Sequence, residues 1–147
     1  MAAATRSPRE TIEQFLRAAV SASPGDMADC YAENVIVEIP FAAAAVSPSR
    51  VGTTREELRA RFQAGRANRR YKSLSDVAIH ETADPEVIIA EYQLHGEMTA
   101  TGEPFWLRFA MVVKIAGGCI VHSRDYSDPI AGARLLGKLP DLVSALT

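Results

Sequence analysis

The chain has 147 residues, 48% hydrophobic and 23% charged, which is enough for one domain with its own core and no supporting disulfide or metal. Its 16 basic and 18 acidic residues give a formal charge of −2, which argues against nucleic acid or an anionic membrane as a partner. No apolar run reaches the roughly 18 residues of a membrane span, and Cys30 and Cys119 lack companions at metal-ligand spacing. We therefore expect a single domain over residues 1–147, cytoplasmic and reduced, with no signal peptide, metal or cofactor.

The N-terminal part predicts helices followed by one strand. Ser7, Pro8 and Glu10 are the N-cap, first helical residue and closing acid of a capping box, and an apolar stripe follows from Ile12 to Val20. The next predicted elements are a short helix from Ser23 to Tyr31, a strand Val35–Ile39 ended by Pro40, a loop from Ala42 to Gly52, and a third, exposed helix from Thr53 or Thr54 to about Arg69.

Period-two alternation predicts four consecutive strands in the second half of the chain. They cover residues 74–82, 87–97, 104–114 and 119–127, and the turns between them carry Asp84-Pro85, Gly102 and Gly117-Gly118. Helices followed by an antiparallel meander indicate an α+β domain whose helices cover one face of a curved sheet. Two further helices follow, one from Asp128 to about Leu136 and one from Pro140 that we expect to dock through Leu142, Val143 and Leu146.

Asp125 is the strongest chemical candidate, because it interrupts the last predicted strand with a carboxylate. Strand alternation places Val121, Ser123, Asp125 and Ser127 on one face, and a cavity on that side would make Asp125 a general acid, a general base or a water-positioning group. The alternative is a structural carboxylate bonded to loop amides or to an arginine.

The other strands suggest an inner and an outer face of the sheet. Tyr92 falls on the inferred inner face with Leu94, where it either donates a hydrogen bond to a substrate oxygen or simply fills the core. The next strand adds an inner stripe, Phe105, Leu107, Phe109, Met111 and Val113, which is core that also lines any cavity. The outer face mixes aromatic and charged groups, which is typical of a dimer surface: Glu91, Gln93, His95, Trp106, Arg108, His122, Arg124 and Tyr126.

Two other groups of residues are weaker candidates for a site. The three histidines lie on separate strands, so no metal site is predicted. Seven basic residues concentrate on the third helix and its exit, between Arg55 and Lys72. We interpret them as a solvated helix face, and the alternative is that an anionic substrate or a partner uses them.

In order and spacing, several short segments resemble the SnoaL-like and ketosteroid-isomerase-like branch of the nuclear transport factor 2-like superfamily. They are Tyr31 to Val35 before a strand ending in Pro40, Gly52 before the third helix, and the closing Arg124-Asp125-Tyr126. The resemblance covers nearly the whole chain. It implies a cone in which N-terminal helices and a strongly curved, mostly antiparallel sheet enclose an apolar pocket, with dimerisation through the outer sheet face.

The resemblance carries site residues over position by position. The steroid isomerase base position is occupied by Ile39, and the two groups that bind the enolate oxygen correspond to Met111 and approximately Phe15, so that mechanism is not expected. Glu38 is adjacent to the base position, and a bulge would turn it inward. Asp125 matches an aspartate of limonene-epoxide-hydrolase-like enzymes that holds the attacking water, but Tyr92 and Leu94 replace their arginine and second aspartate.

SnoaL-like cyclases also use a pocket aspartate as acid or base, and Asp125 fits that role by analogy. We therefore predict an acid–base enzyme of cyclase, isomerase or hydrolase type that acts on a small apolar molecule such as a polyketide or terpenoid. Asp125 and Tyr92 are the predicted catalytic residues. The predicted substrate contacts are Phe15, Glu38, Leu94, Phe109, Met111, Ser123 and Ser127. The alternative is a non-catalytic ligand-binding or interaction module of the same fold.

Overall fold

The computed structural model describes residues 5–147 and contains helices packed on one six-stranded sheet. The helical elements are α1 Pro8–Ala19, a 3₁₀ helix Pro24–Cys30, α2 Arg55–Gly65, α3 Pro129–Leu135 and α4 Leu139–Leu146. The strands are β1 Tyr31–Glu38, β2 Arg50–Thr54, β3 Arg69–Glu81, β4 Val87–Met98, β5 Pro104–Ala116 and β6 Cys119–Ser127. The sheet order is β2-β1-β6-β5-β4-β3, in which β1 and β6 run parallel and the other neighbours antiparallel.

The first helix begins as its sequence predicts. The Ser7 hydroxyl accepts a hydrogen bond from the Glu10 amide at 3.1 Å, and the Glu10 carboxylate accepts one from the Ser7 amide at 3.2 Å. This capping box sets the start of α1, so that Ile12, Phe15 and Leu16 are buried against the sheet.

The structure differs from the prediction at three element boundaries. Tyr31 opens β1 instead of closing the short helix, because it pairs with Ile120 of β6. The predicted loop contains the edge strand β2, which pairs antiparallel with β1. Helix α2 ends at Gly65, four residues before the predicted end, because Arg69 already pairs with Met98 in the sheet.

The start of the last strand differs from the prediction. A bulge shifts the β5–β6 register, so that Lys114 pairs with His122 while Ile115 pairs with Ile120. Val121 is therefore an extra residue, and Ile120, which strict alternation places on the outer face with His122, pairs with Ile115 of the inner face. Ile120 is instead fully buried in the core.

The C-terminal helix docks through one residue and not three. Leu142 is buried, whereas Val143 and Leu146 are 54% and 77% exposed. Neighbouring helical positions point about 100° apart, and α4 turns Leu142 toward the protein and Val143 toward solvent.

The core lies between the helices and the inner sheet face. Met111 is 2% exposed and its neighbour Ala110 is half-buried, which fixes the register of β5 as predicted, with odd-numbered residues facing inward. Within residues 5–147, no helix is both long and apolar enough to cross a lipid bilayer.

Candidate functional site

A cavity of about 590 Å³ lies between α1, the 3₁₀ helix, α2 and the inner face of the sheet. This volume is within the range of small-molecule sites, roughly 300–1,000 Å³. Its inner wall is aromatic and apolar, and includes Phe15, Met27, Tyr31, Phe62, Tyr92, Leu94, Phe109 and Met111. The inner sheet face thus forms one wall of the cavity, and the helices form the other.

Asp125 is the single acidic side chain among the cavity-lining residues of the described chain. It sits on β6 opposite Met111 of β5, and it accepts a hydrogen bond from the hydroxyl of Ser123. Burial raises the pKa of Asp125 to about 6, and the hydrogen bond from Ser123 opposes part of that rise. The Asp125 side chain is surrounded by other residues on most sides. It counts as half-buried because its remaining side faces the cavity. A carboxyl with this pKa accepts or donates a proton near neutral pH.

Tyr92 places a phenol hydroxyl in the same cavity. The hydroxyl donates to the sulfur of Met111 at 3.2 Å, and the ring stacks on Phe109 with centroids 5.3 Å apart. Burial, and then the negative charge of Asp125, raise the pKa of Tyr92, so the hydroxyl stays protonated. Because a thioether sulfur is a weak acceptor, a ligand oxygen can take over this hydrogen bond.

Tyr31 is a cavity residue that the sequence interpretation missed. It is 3% exposed, and its ring meets Phe15 edge-on at 6.0 Å. Its pKa is raised well above the ordinary value by burial first and then by the negative charge of Asp125. Exposed Glu33 interrupts the alternation between Tyr31 and buried Val35, and the proline and aspartate before Tyr31 favoured a helix, so the sequence did not point to this residue.

Six of the nine predicted site residues line this cavity together: Phe15, Tyr92, Leu94, Phe109, Met111 and Asp125. The structure places the other three elsewhere. Ser123 is fully buried and supports Asp125, and Ser127 ends β6 opposite Phe109 without lining the cavity. We therefore do not assign either serine to ligand contact.

Glu38 faces away from the cavity, on the outer side of the sheet. Its carboxylate accepts hydrogen bonds from Arg50 at 2.7 Å and from the His122 ring at 2.5 Å. The His122 bond, ahead of Arg50, lowers the pKa of Glu38 despite some desolvation. The expected inward turn does not occur, because β1 and β2 pair in unbroken register from residue 34 to 38.

The outer face carries the aromatic and charged groups that the sequence predicts there. Trp106 is 58% exposed, with the Arg108 guanidinium 6.0 Å from its ring. The ring nitrogens of His80, His95 and His122 each bond a different partner, respectively Glu91, Ser75 and Glu38. Within residues 5–147 no three metal-ligating side chains come together.

Helices on a curled six-stranded sheet around an apolar cavity define the nuclear transport factor 2-like class of α+β cone. A SnoaL-like domain profile matches residues 12–123, and the chain belongs to this SnoaL-like family. The uncharacterized protein YesE of Bacillus subtilis is 24% identical over 128 residues, which cover 87% of this chain and 86% of YesE.

Solved structures show the same fold. A candidate isomerase from Bacillus subtilis superimposes with a TM-score of 0.77 at 24% identity, covering 89% of this chain and 93% of that one. A candidate polyketide cyclase from Pseudomonas putida gives a TM-score of 0.72 at 17% identity, covering 88% and 98%. The protein thus has the fold of SnoaL-like small-molecule isomerases and cyclases.

Proposed function

We propose that the protein is an enzyme that binds a small, mostly apolar carbonyl compound in the cavity and moves a proton on it with Asp125. The observation that carries this proposal is a lone carboxyl, with a pKa of about 6, in an apolar cavity that also holds two buried phenols. A general base works best when its pKa is near the operating pH. A polyketide or a terpenoid is the substrate class that suits such walls.

The chemistry follows from the positions of the three groups. The Asp125 carboxylate takes a proton from a carbon next to a carbonyl, and the electron pair of that C–H bond moves onto the carbonyl oxygen. Tyr92 and Tyr31 stay protonated and donate hydrogen bonds to this oxygen as its charge develops. Asp125, now a carboxylic acid, returns the proton to a different carbon and gives an isomer. In a cyclase the enolate carbon attacks a second carbonyl instead, and the proton goes to the new alkoxide.

Isomerisation or cyclisation fits this site better than epoxide hydrolysis. Hydrolysis requires a donor that protonates the epoxide oxygen while a carboxylate holds water, and a charged pair is the usual solution. Here Ser123 is the hydrogen-bond partner of Asp125 within the described chain, and Tyr92 and Leu94 stand where a charged pair would be needed.

Proton abstraction can be measured directly as deuterium uptake. Bicyclic ketones such as 2-tetralone are incubated with the protein in D₂O, and exchange next to the carbonyl is followed by NMR. We expect exchange above the buffer rate, and a loss of about 100-fold or more in Asp125→Asn. Glu38→Gln is the matched control, because it neutralises a carboxylate on the opposite face of the sheet. Exchange that Asp125→Asn leaves unchanged refutes the role of Asp125.

A non-catalytic binding module is the second candidate, and the same cavity favours it. It predicts that ketones bind the wild type and Asp125→Asn equally and that neither protein accelerates exchange. Binding of these ketones is measured by isothermal titration calorimetry on both proteins, so the two candidates give different results.

We further propose that the protein is a cytoplasmic homodimer joined through the outer face of the sheet. Exposed Trp106 and the adjacent Arg108 support the interface, and the free thiols of Cys30 and Cys119 support a reducing compartment. Sedimentation velocity tests the dimer. Trp106→Glu should dissociate it while Leu146→Glu, at a residue 77% exposed on the last helix, should not. A monomeric wild type contradicts this proposal.

A further inference from the structure

The opening of the cavity is strongly basic, although the chain as a whole has a formal charge of −2. Five cationic residues contribute to the cavity lining, and they come from the end of α2 and the start of β3: Arg61, Arg66, Arg69, Arg70 and Lys72. All but the half-buried Arg69 are exposed, which places them at the outer end of the cavity. No acidic residue among the described lining residues accompanies them at that end, since Asp125 lies within.

Most of these charges are not neutralised by the protein. Lys72 pairs with Glu97 at 2.9 Å, but among residues 5–147 the four arginines form no ion pair. Arg59, on the same helix but outside the cavity lining, behaves differently, because it binds Asp29 at 2.6 Å and Glu56 at 3.1 Å. Arg59, outside the cavity lining, therefore has acidic partners, whereas the four arginines of the lining have none among residues 5–147.

Arg69 is held in place by contacts with uncharged residues. Its Nε donates to the Tyr71 hydroxyl at 2.8 Å, and its guanidinium carbon lies 5.7 Å from the centre of the Tyr71 ring. The guanidinium also occupies the space above Gly65, where a side-chain carbon would be 3.1 Å from Nη2. Only Nε is used in these contacts, so the two terminal nitrogens remain as donors. A guanidinium in this state suits two-point binding of a carboxylate.

We propose that the natural ligand is an organic acid that places its apolar body in the cavity and its carboxylate at the opening, against Arg69 with Arg61 and Arg66. The acidic end stays outside because Asp125, at the inner end, repels a second negative charge. No basic group contributes to the pKa shift of Asp125, which agrees with the cationic and anionic ends being separate. This inference rests on the proposed function of the cavity and adds the charge and the orientation of the substrate. It is tested by binding measurements, without any measurement of catalysis.

The test uses two fluorescent probes of equal size that differ in charge, anthracene-2-carboxylate and anthracene-2-carboxamide. At low ionic strength we expect the wild type to bind the acid about tenfold more tightly than the amide, since one charge-assisted hydrogen-bonded pair is worth about that much. Added salt should reduce the preference, because the opening is exposed. Equal affinities for acid and amide overturn the inference.

Substitutions then locate the charge that is responsible. Arg61→Gln/Arg66→Gln changes two exposed positions, and it should lower affinity for the acid while leaving affinity for the amide unchanged, which also reports an intact cavity. Arg69→Gln should do the same. Arg17→Gln/Arg134→Gln is the matched control, because it removes two exposed charges that do not line the cavity. If the control weakens acid binding as much as the test pair does, net charge accounts for the preference and the inference fails.

The two proposals fail independently. A protein that prefers the acid but catalyses no deuterium exchange keeps this inference and loses the enzymatic role. A protein that catalyses exchange and binds acid and amide equally keeps the enzymatic role and loses the inference. Asp125→Asn should bind the acid at least as well as the wild type, because it removes a negative charge from the same cavity.

Discussion

Replacement of Asp125 by asparagine should make the protein more stable at neutral pH. The folded pKa of about 6 exceeds the ordinary 3.8, so between these values the folded state keeps a proton that the unfolded state has lost. Stability therefore falls as the pH rises through this window and stays lower above it. The full shift corresponds to about 3 kcal/mol at pH 7. Since solvent reaches the carboxylate through the cavity, we expect about 2 kcal/mol.

Asparagine keeps the shape of the side chain and an oxygen that accepts from Ser123, so the main change is loss of the buried charge. Urea unfolding at about pH 7.5 should show Asp125→Asn more stable by about 2 kcal/mol, and at about pH 4, close to the unfolded pKa of Asp125, the difference should shrink to about 0.5 kcal/mol or less. In thermal melts the neutral-pH gain is about 5 °C for a chain of this size.

Asp141→Asn is the control, because Asp141 is exposed in the first turn of α4. It should leave the pH dependence of stability as in the wild type. An Asp125→Asn protein that is less stable than the wild type at neutral pH, or equally shifted at both pH values, would refute the argument. It would mean that the Asp125 charge is stabilised by its surroundings, as expected of a structural carboxylate.

Two matched pairs of substitutions test the packing that supports the cavity, each by urea unfolding. Gly96→Ala should destabilise by about 2 kcal/mol or more, because the added carbon would overlap the Arg70 carbonyl oxygen and lie 2.7 Å from the Phe105 ring. Gly52→Ala meets nothing within 4 Å and should change stability by less than about 0.5 kcal/mol. Leu142→Ala should cost about 2 kcal/mol and Leu146→Ala less than about 0.5, and equal costs would contradict the docking of α4 through one residue.

The strands of the second half could be predicted because alternation is a local signal and each strand has one buried face. Strand β2 could not, since Arg50–Thr54 is a short edge strand of mostly polar residues and glycine. It is defined by pairing with β1, which is not visible in its own composition. The bulge that leaves Val121 unpaired is likewise a property of two strands together, and it places Ile120 opposite Ile115 on the inner face.

The sequence predicts a site residue where that residue by itself departs from the pattern of its neighbours. Asp125 stands out in sequence because a carboxylate interrupts an apolar alternation, but its pKa depends on burial by residues from several elements. Tyr31 carries no such signal. Its ring becomes part of the cavity wall because β1 pairs with β6, where Tyr31 lies opposite Ile120 from a distant part of the chain.

The basic residues between Arg55 and Lys72 show how one boundary changes a functional interpretation. With a helix continuing to Arg69, they formed a solvated helix face. The structure ends the helix at Gly65 and begins a strand at Arg69, so the chain turns at the edge of the cavity. Arg55 then bonds the Tyr31 carbonyl at 2.9 Å, outside the cavity lining, while Arg69 lines its opening. A charge cluster that looks uniform in sequence is thus divided by the fold into residues that line the cavity and residues that bond the protein outside it.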